Sequence, residues 1–146
     1  MKDIKFDLIY KSDTTGFHHK KYHLSELMKG IDRICDIHHC MKLIVERQYT
    51  GLKDKNGVEI YEGDIVIMHT EWTGGYNSDE FGEHENVGVA SITPSKGVML
   101  NKCKKRDVIE CEEEWKKTWS VNVRGYRSEV IGNIYENPEL LESNNA

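Results

Sequence analysis

Alanine is almost missing from this sequence of 146 residues, which contains only Ala90 and the terminal Ala146. Leucine is scarce as well, with 8 copies against 23 isoleucines and valines. Alanine and leucine are the strongest helix formers, whereas β-branched side chains suit a pleated, half-buried surface. The imbalance argues against a helical bundle and for a mainly β chain. Long apolar runs are lacking too. The N-terminus, MKDIKFDLIYK, shows no uninterrupted hydrophobic stretch and no small-residue cleavage site, so no signal peptide is expected. Runs such as Ile65 to Met68 are far too short to cross a bilayer. The expectation is a cytoplasmic protein with no membrane partner, in which Cys35, Cys40, Cys103 and Cys111 are reduced thiols.

Catalytic signatures are absent as well. The sequence contains no G-x-S-x-G elbow, no G-x-x-x-x-G-K and no G-x-G-x-x-G. Gly51, Gly57, Gly63 and Gly132 read as turn glycines rather than as a phosphate cradle. No enzyme activity and no cofactor are expected.

What is present is enough for a modest core: 34 residues are Leu, Ile, Val or Phe. The formal net charge is −5 and unevenly spread, +2 over residues 1–45 and −7 over 46–146. An acidic body argues against broad, nonspecific nucleic-acid binding, though not against a local basic patch.

Along the chain, Ile4, Phe6 and Leu8 alternate with Lys5 and Asp7 as in a short strand. A polar turn follows, SDTTGFHHKKYH, pivoting at Gly16. Ser25 is the expected cap of one helix, whose apolar Leu27, Met28, Ile31, Ile34 and Cys35 recur at helical spacing. Leu43 to Tyr49 reads as a strand, and Asn56-Gly57 as a two-residue type I′ hairpin turn before Val58 to Tyr61. Glu62-Gly63-Asp64 breaks the chain again before the strand at Ile65 to Met68. Residues 71–86 hold five acidic side chains and no Lys or Arg, and read as a solvated loop. Val87 to Ile92, Val98 to Leu100, Val121 to Val123 and Glu129 to Tyr135 are further strands. Asn137 and Pro138 can start one helical turn, and residues 142–146 are expected to fray. Short strands between tight turns predict a mainly β domain, a small barrel-like fold (SH3-like or related) with an N-terminal strand and one short helix.

Two blocks carry a resemblance: QYTGLKDKNGVEIYEGDIV, from Gln48 to Val66, and EVIGNIYENPELL, from Glu129 to Leu141. With the opening Ile4 to Phe6 they resemble the YopX family, small proteins encoded by bacteriophages and prophages. The blocks cover about 32 of the 146 residues. Asp7-Leu8-Ile9-Tyr10 departs from the family's usual Arg- and Trp-containing continuation, and residues 16–42 look peculiar to this member. The resemblance implies one domain over 1–141, divergent in 1–42 and barrel-like in 43–141. It also implies a phage origin, action in the bacterial host cytoplasm and a homo-oligomer. It supplies no catalytic residue to transfer.

Several constellations remain as candidates. His18, His19, His23, Cys35, His38, His39 and Cys40 offer the preferred zinc donors, but C-x4-C with two histidines inside fits no standard finger, ribbon or knuckle. Ordinary exposed or half-buried roles are the simpler expectation. Glu71, Asp79, Glu80, Glu83 and Glu85 could hold a hard cation, yet EF-hand spacing is absent. Lys102, Lys104, Lys105 and Arg106 form the best basic patch, extendable by Lys116, Lys117, Arg124 and Arg127, with Trp115, Trp119 and Tyr126 nearby. Basic side chains among aromatics suit single-stranded nucleic acid. The intervening Glu110 and Glu112 to Glu114 favour cross-strand ion pairs instead. The leading expectation is a non-enzymatic phage accessory protein that self-associates or meets a phage or host protein, through residues such as Tyr49, Tyr61, Ile131 and Tyr135. A nucleic-acid-binding barrel using Lys104, Lys105, Arg106, Trp115 and Trp119 is the alternative, and a His/Cys metal-binding protein the next.

Overall fold

In the computed structural model, residues 4–29, 41–74, 79–109 and 115–142 are described. The N-terminal strand β1 (Lys5–Ser12) turns through 13–15 into β2 (Gly16–His23), which leads into α1 (Leu24–Lys29). β3 (Met41–Lys53), β4 (Glu59–Tyr61), β5 (Asp64–Thr73), β6 (Phe81–Thr93) and β7 (Gly97–Asp107) follow. The chain ends with β8 (Lys116–Lys117), β9 (Val121–Asn122), a 3-10 turn (Gly125–Arg127), β10 (Ser128–Asn133) and α2 (Glu139–Glu142).

These strands form two antiparallel sheets and not a closed barrel. One has the order β2-β1-β3-β4 and the other β10-β5-β6-β7-β8, with β9 also paired to β7. The chain passes from one sheet to the other after β4. At Gly63 (φ +85°) it crosses to the second sheet, and a Cβ there would sit 2.8 Å from the Tyr135 ring. Ile60, Val66, Met68, Ala90, Leu100, Cys103 and Val123 make the core, with Leu52, Val98, Val121 and Val130 packed on it. Ile65, Val87 and Val89 alternate with these core positions and are buried too, so the middle of the second sheet is covered on both faces.

Four local expectations are corrected. The polar stretch after β1 is a turn only at 13–15. The rest is β2, a strand with one unpaired edge and mostly polar side chains, which masks any period-two signal. α1 starts at Leu24, and Ser25 lies inside it. The backbone N–H of His23 is instead received by Glu26, as the acidic half of a capping box. Ile31, Ile34 and Cys35 lie outside the described residues.

The Asn56-Gly57 turn is part of a five-residue loop. Only Gly57 has positive φ there, and Asp54 Oδ1 accepts the N–H groups of Asn56 and Val58 at 2.8 and 2.9 Å. That carboxylate substitutes for the backbone geometry a type I′ turn would need. The acidic segment is paired strand on both sides, up to Thr73 and again from Phe81. The charged run after Leu100 is strand through Asp107. It carries a bulge at Lys102 (φ +53°) opposite Gly88, where a Cβ would meet Asn101 O at 2.8 Å.

Candidate functional site

β5 and β6 are longer than their neighbours, and this creates the most conspicuous surface. Their register runs from Ile65↔Val89 to Thr73↔Phe81. β10 covers β5 only as far as Met68, and β7 reaches β6 only as far as His84. Beyond those points the hairpin continues, among the described residues, as a two-stranded arm, with the Val108 N–H donated to Glu83 O at 3.0 Å at its root. On one of its faces Trp72 lies over Gly82, where a Cβ would collide with the indole at 2.1 Å. The Trp72 indole N–H donates to His84 Nε2 at 2.9 Å, and the two rings are nearly parallel. Trp72 remains 44% exposed, while Phe81, opposite Thr73 and by alternation on the reverse face, is 68% exposed.

The other face holds His69, Glu71, Glu83 and Glu85. Glu71 is directly opposite Glu83. His69 Nε2 stands 3.8 Å from Glu71 Oε1 and 3.6 Å from Glu83 Oε2. Sequence reading singled out both glutamates and missed His69. The missed signal was the odd-numbered alternation of β5, which continues past Ile67.

A second surface lies at the opposite edge of the sheet. β8 places Lys117 opposite Lys104 and Lys116 opposite Lys105. Arg106 pairs with Glu85 at 2.6 and 2.8 Å and lays its guanidinium over Trp115, 4.6 Å from the ring centroid. Trp119 is 89% exposed. The structure thus gathers Lys104, Lys105, Arg106 and Trp115 on one edge, with Trp119 two residues past β8. Glu110 and Glu112 to Glu114 lie outside the described residues. Lys104 itself is buried, donating to the Leu141 carbonyl at 2.6 Å. A cavity of about 400 Å³ opens here, lined by Lys102, Cys103, Lys104, Lys117, Thr118 and Leu141. Burial pushes the Cys103 thiol up, which keeps it protonated.

The histidine and cysteine candidates of the N-terminal part are not gathered in what is described. His18 bonds to Thr15 Oγ1 at 2.6 Å, and Cys35, His38, His39 and Cys40 lie outside the described residues. His19 instead joins a buried ion network that sequence reading did not foresee. Its Nδ1 is 2.8 Å from Asp7 Oδ2 and its Nε2 3.0 Å from Glu136 Oε2. Asp7, placed by alternation on the outer face of β1, is wholly buried and accepts Arg47 Nε at 2.9 Å. Arg47 also binds Asp64, and Asp64 accepts the Tyr61 N–H at 2.8 Å. Burial raises the Asp64 carboxyl above its ordinary range despite the adjacent Arg47 guanidinium. Tyr61, expected at a contact surface, is buried under Arg47, 5.3 Å from its centroid.

The YopX family model, described as YopX protein, matches residues 2–142. The chain belongs to the YopX family. Comparison with curated proteins gives no match. In this YopX chain the two family-like blocks meet each other. Asp54 Oδ2 accepts the Val130 N–H at 3.0 Å, Lys55 N–H reaches Ser128 O at 2.9 Å, and Ile134 N–H reaches Gly63 O at 3.0 Å. Those bonds tie Gln48 to Val66 to the segment Ser128 to Leu141 despite their separation. Glu136 and Asp64 lie in the blocks and Arg47 immediately before the first, while Asp7 lies on β1 and His19 on β2. The ion network therefore joins the two N-terminal strands to both blocks. Among the described residues no catalytic motif is formed.

Proposed function

We propose that this YopX-family chain is a phage-encoded, non-enzymatic accessory protein that self-associates, with the β5–β6 arm as its contact element. The observation that carries this reading is the arm itself, which exposes Trp72 and Phe81 beyond the reach of β10 and β7. An aromatic end on a two-stranded hairpin offers apolar area that gains by burial against a partner. Charge supports a second copy as that partner. The arm segment 71–86 has no Lys or Arg, whereas the β7–β8 edge of the same chain is lysine-rich. Contact between two different patches of identical chains is heterologous and yields rings or open filaments. Light scattering over a wide concentration range tests the reading. Oligomers that dissociate in Phe81→Glu and weaken with added salt are expected, and a monomer at every concentration overturns it.

A second reading is favoured by one feature, the lysines placed directly opposite each other in β7 and β8 beside the Arg106–Trp115 stack. Phosphates on Lys105 and Lys116 with bases on the exposed indole of Trp119 would suit single-stranded nucleic acid. A salt titration with short DNA and RNA tests it. Each alanine replacement of Lys105 or Lys116 reduces the salt slope by about one if the reading holds, and absence of binding at low ionic strength removes it.

A further inference from the structure

His69, Glu71 and Glu83 stand out because nothing else in the described structure balances them. Glu71 and Glu83 face each other across β5 and β6, and like charges at directly opposed positions repel. Among the described residues, His69 is the one cationic or potentially cationic side chain within 4 Å of either carboxylate. Arg106, the guanidinium nearest in register, is committed to Glu85. The separations of 3.6 and 3.8 Å are too long for hydrogen bonds. They come closer to the spacing between donors around one tetrahedral zinc ion, about 3.3 Å for bonds of about 2.0–2.1 Å. All three donor atoms lie within 4.8 Å of one another.

We propose that His69, Glu71 and Glu83 form a binding site for one divalent transition-metal ion of the zinc type. The donor set is one imidazole nitrogen and two carboxylate oxygens, which leaves a fourth position for water or an incoming ligand. Strand register supplies the preorganisation. His69 and Glu71 are alternate residues of β5, and Glu83 is fixed on β6 by its pairing with Glu71. Bound metal would clamp the arm at its base, replacing repulsion between the strands by a shared cation. The donor set draws on neither a second copy nor the N-terminal histidines and cysteines.

The test is zinc titration of the untagged full chain by calorimetry, alongside His69→Ala and Glu83→Gln. The expected result is one ion per chain, with affinity reduced at least tenfold in each variant and unchanged far-UV dichroism. Cobalt substitution separates this site from the N-terminal thiols, because a nitrogen and oxygen donor set gives no sulfur-to-metal charge-transfer band. Failure to bind zinc overturns the proposal. So does binding that survives both substitutions, or a cobalt spectrum dominated by thiolate. Loss of oligomers in Phe81→Ser, which adds no donor beside Glu83, with zinc binding intact would separate the two readings of the arm.

Discussion

Replacing Arg47 by Met should destabilise the body of the protein strongly. The methionine keeps an apolar stem under Tyr61 but removes the charge between two buried carboxylates. Asp7 is wholly buried and Asp64 is 3% exposed. After the substitution Asp64 retains the Tyr61 N–H and Asp7 retains His19, while Asp7 Oδ1 already has no partner among the described residues. Removing one member of a buried ion pair costs about 3–5 kcal/mol, because the charge left behind is uncompensated. That is a large part of the 5–15 kcal/mol typical of a whole domain. With an unfolding entropy of about 2.1 cal/mol/K per residue, the loss corresponds to a melting point lowered by about 10–16 °C.

Urea unfolding gives the free energy directly, and pH adds a second check. Arg47 draws the Asp64 carboxyl down against the upward push of burial. Without the guanidinium, folded Asp64 binds its proton more tightly than the unfolded chain does. The variant's stability therefore rises, relative to wild type, as pH falls towards the ordinary carboxylate range. Its deficit should shrink from pH 7 to pH 5. A loss below about 1 kcal/mol, or a deficit that grows on acidification, would refute the account of the network. The exposed pair Lys55–Glu129 is the control, since Lys55→Ala should change stability by no more than about 0.5 kcal/mol.

Asp54 should show a different pH signature. Burial alone would raise its carboxyl, but the backbone N–H groups of Val130, Val58 and Asn56 outweigh that and hold it low. Its stabilisation is present above the ordinary carboxylate range and is lost as pH falls through its lowered value, so Asp54→Ala should cost most near neutrality and little in strong acid. Gly88→Ala should destabilise by about 1–3 kcal/mol in urea, because the new methyl would press on the Asn101 carbonyl and Cys103 Sγ. Cys103 should react with an iodoacetamide probe only under unfolding conditions, as its thiol is buried and its ionisation suppressed.

Sequence pattern revealed strands wherever apolar, mostly β-branched residues cluster, whether one face of the strand is buried or both. Leu43 to Tyr49, Ile65 to Met68, Val87 to Ile92 and Val98 to Leu100 all lie within strands of the structure. Pattern failed at β2, which is largely polar and half-exposed, so no alternation marks it. In β1 it found the strand but put Asp7 on the outer face, because the middle of that strand is covered on both sides. Charge composition misled at 71–86 and in the second half of β7, where main-chain pairing holds strands whose side chains are largely charged or polar. The basic edge was legible because Lys104, Lys105 and Arg106 are neighbours in sequence. The buried network was not, since Arg47 lies 40 residues from Asp7 and 17 from Asp64. The His69 cluster falls between these cases, visible once β5 and β6 are set in register.

The late position of β10 shapes how the chain must fold. Its residues pair with β5 segments synthesised 60 to 69 positions earlier, and the His19–Glu136 contact spans 117 positions. Distant pairings of this kind slow folding. The β5–β6 hairpin, by contrast, is local and can form on a microsecond scale once Phe81 to Val89 have emerged. On the ribosome the β1–β2 hairpin therefore comes first, the arm next and the β10 pairing last. Until Ser128 to Asn133 arrive, the outer edge of β5 has no mate, and that interval is when a nascent chain is most exposed to strand pairing with its neighbours.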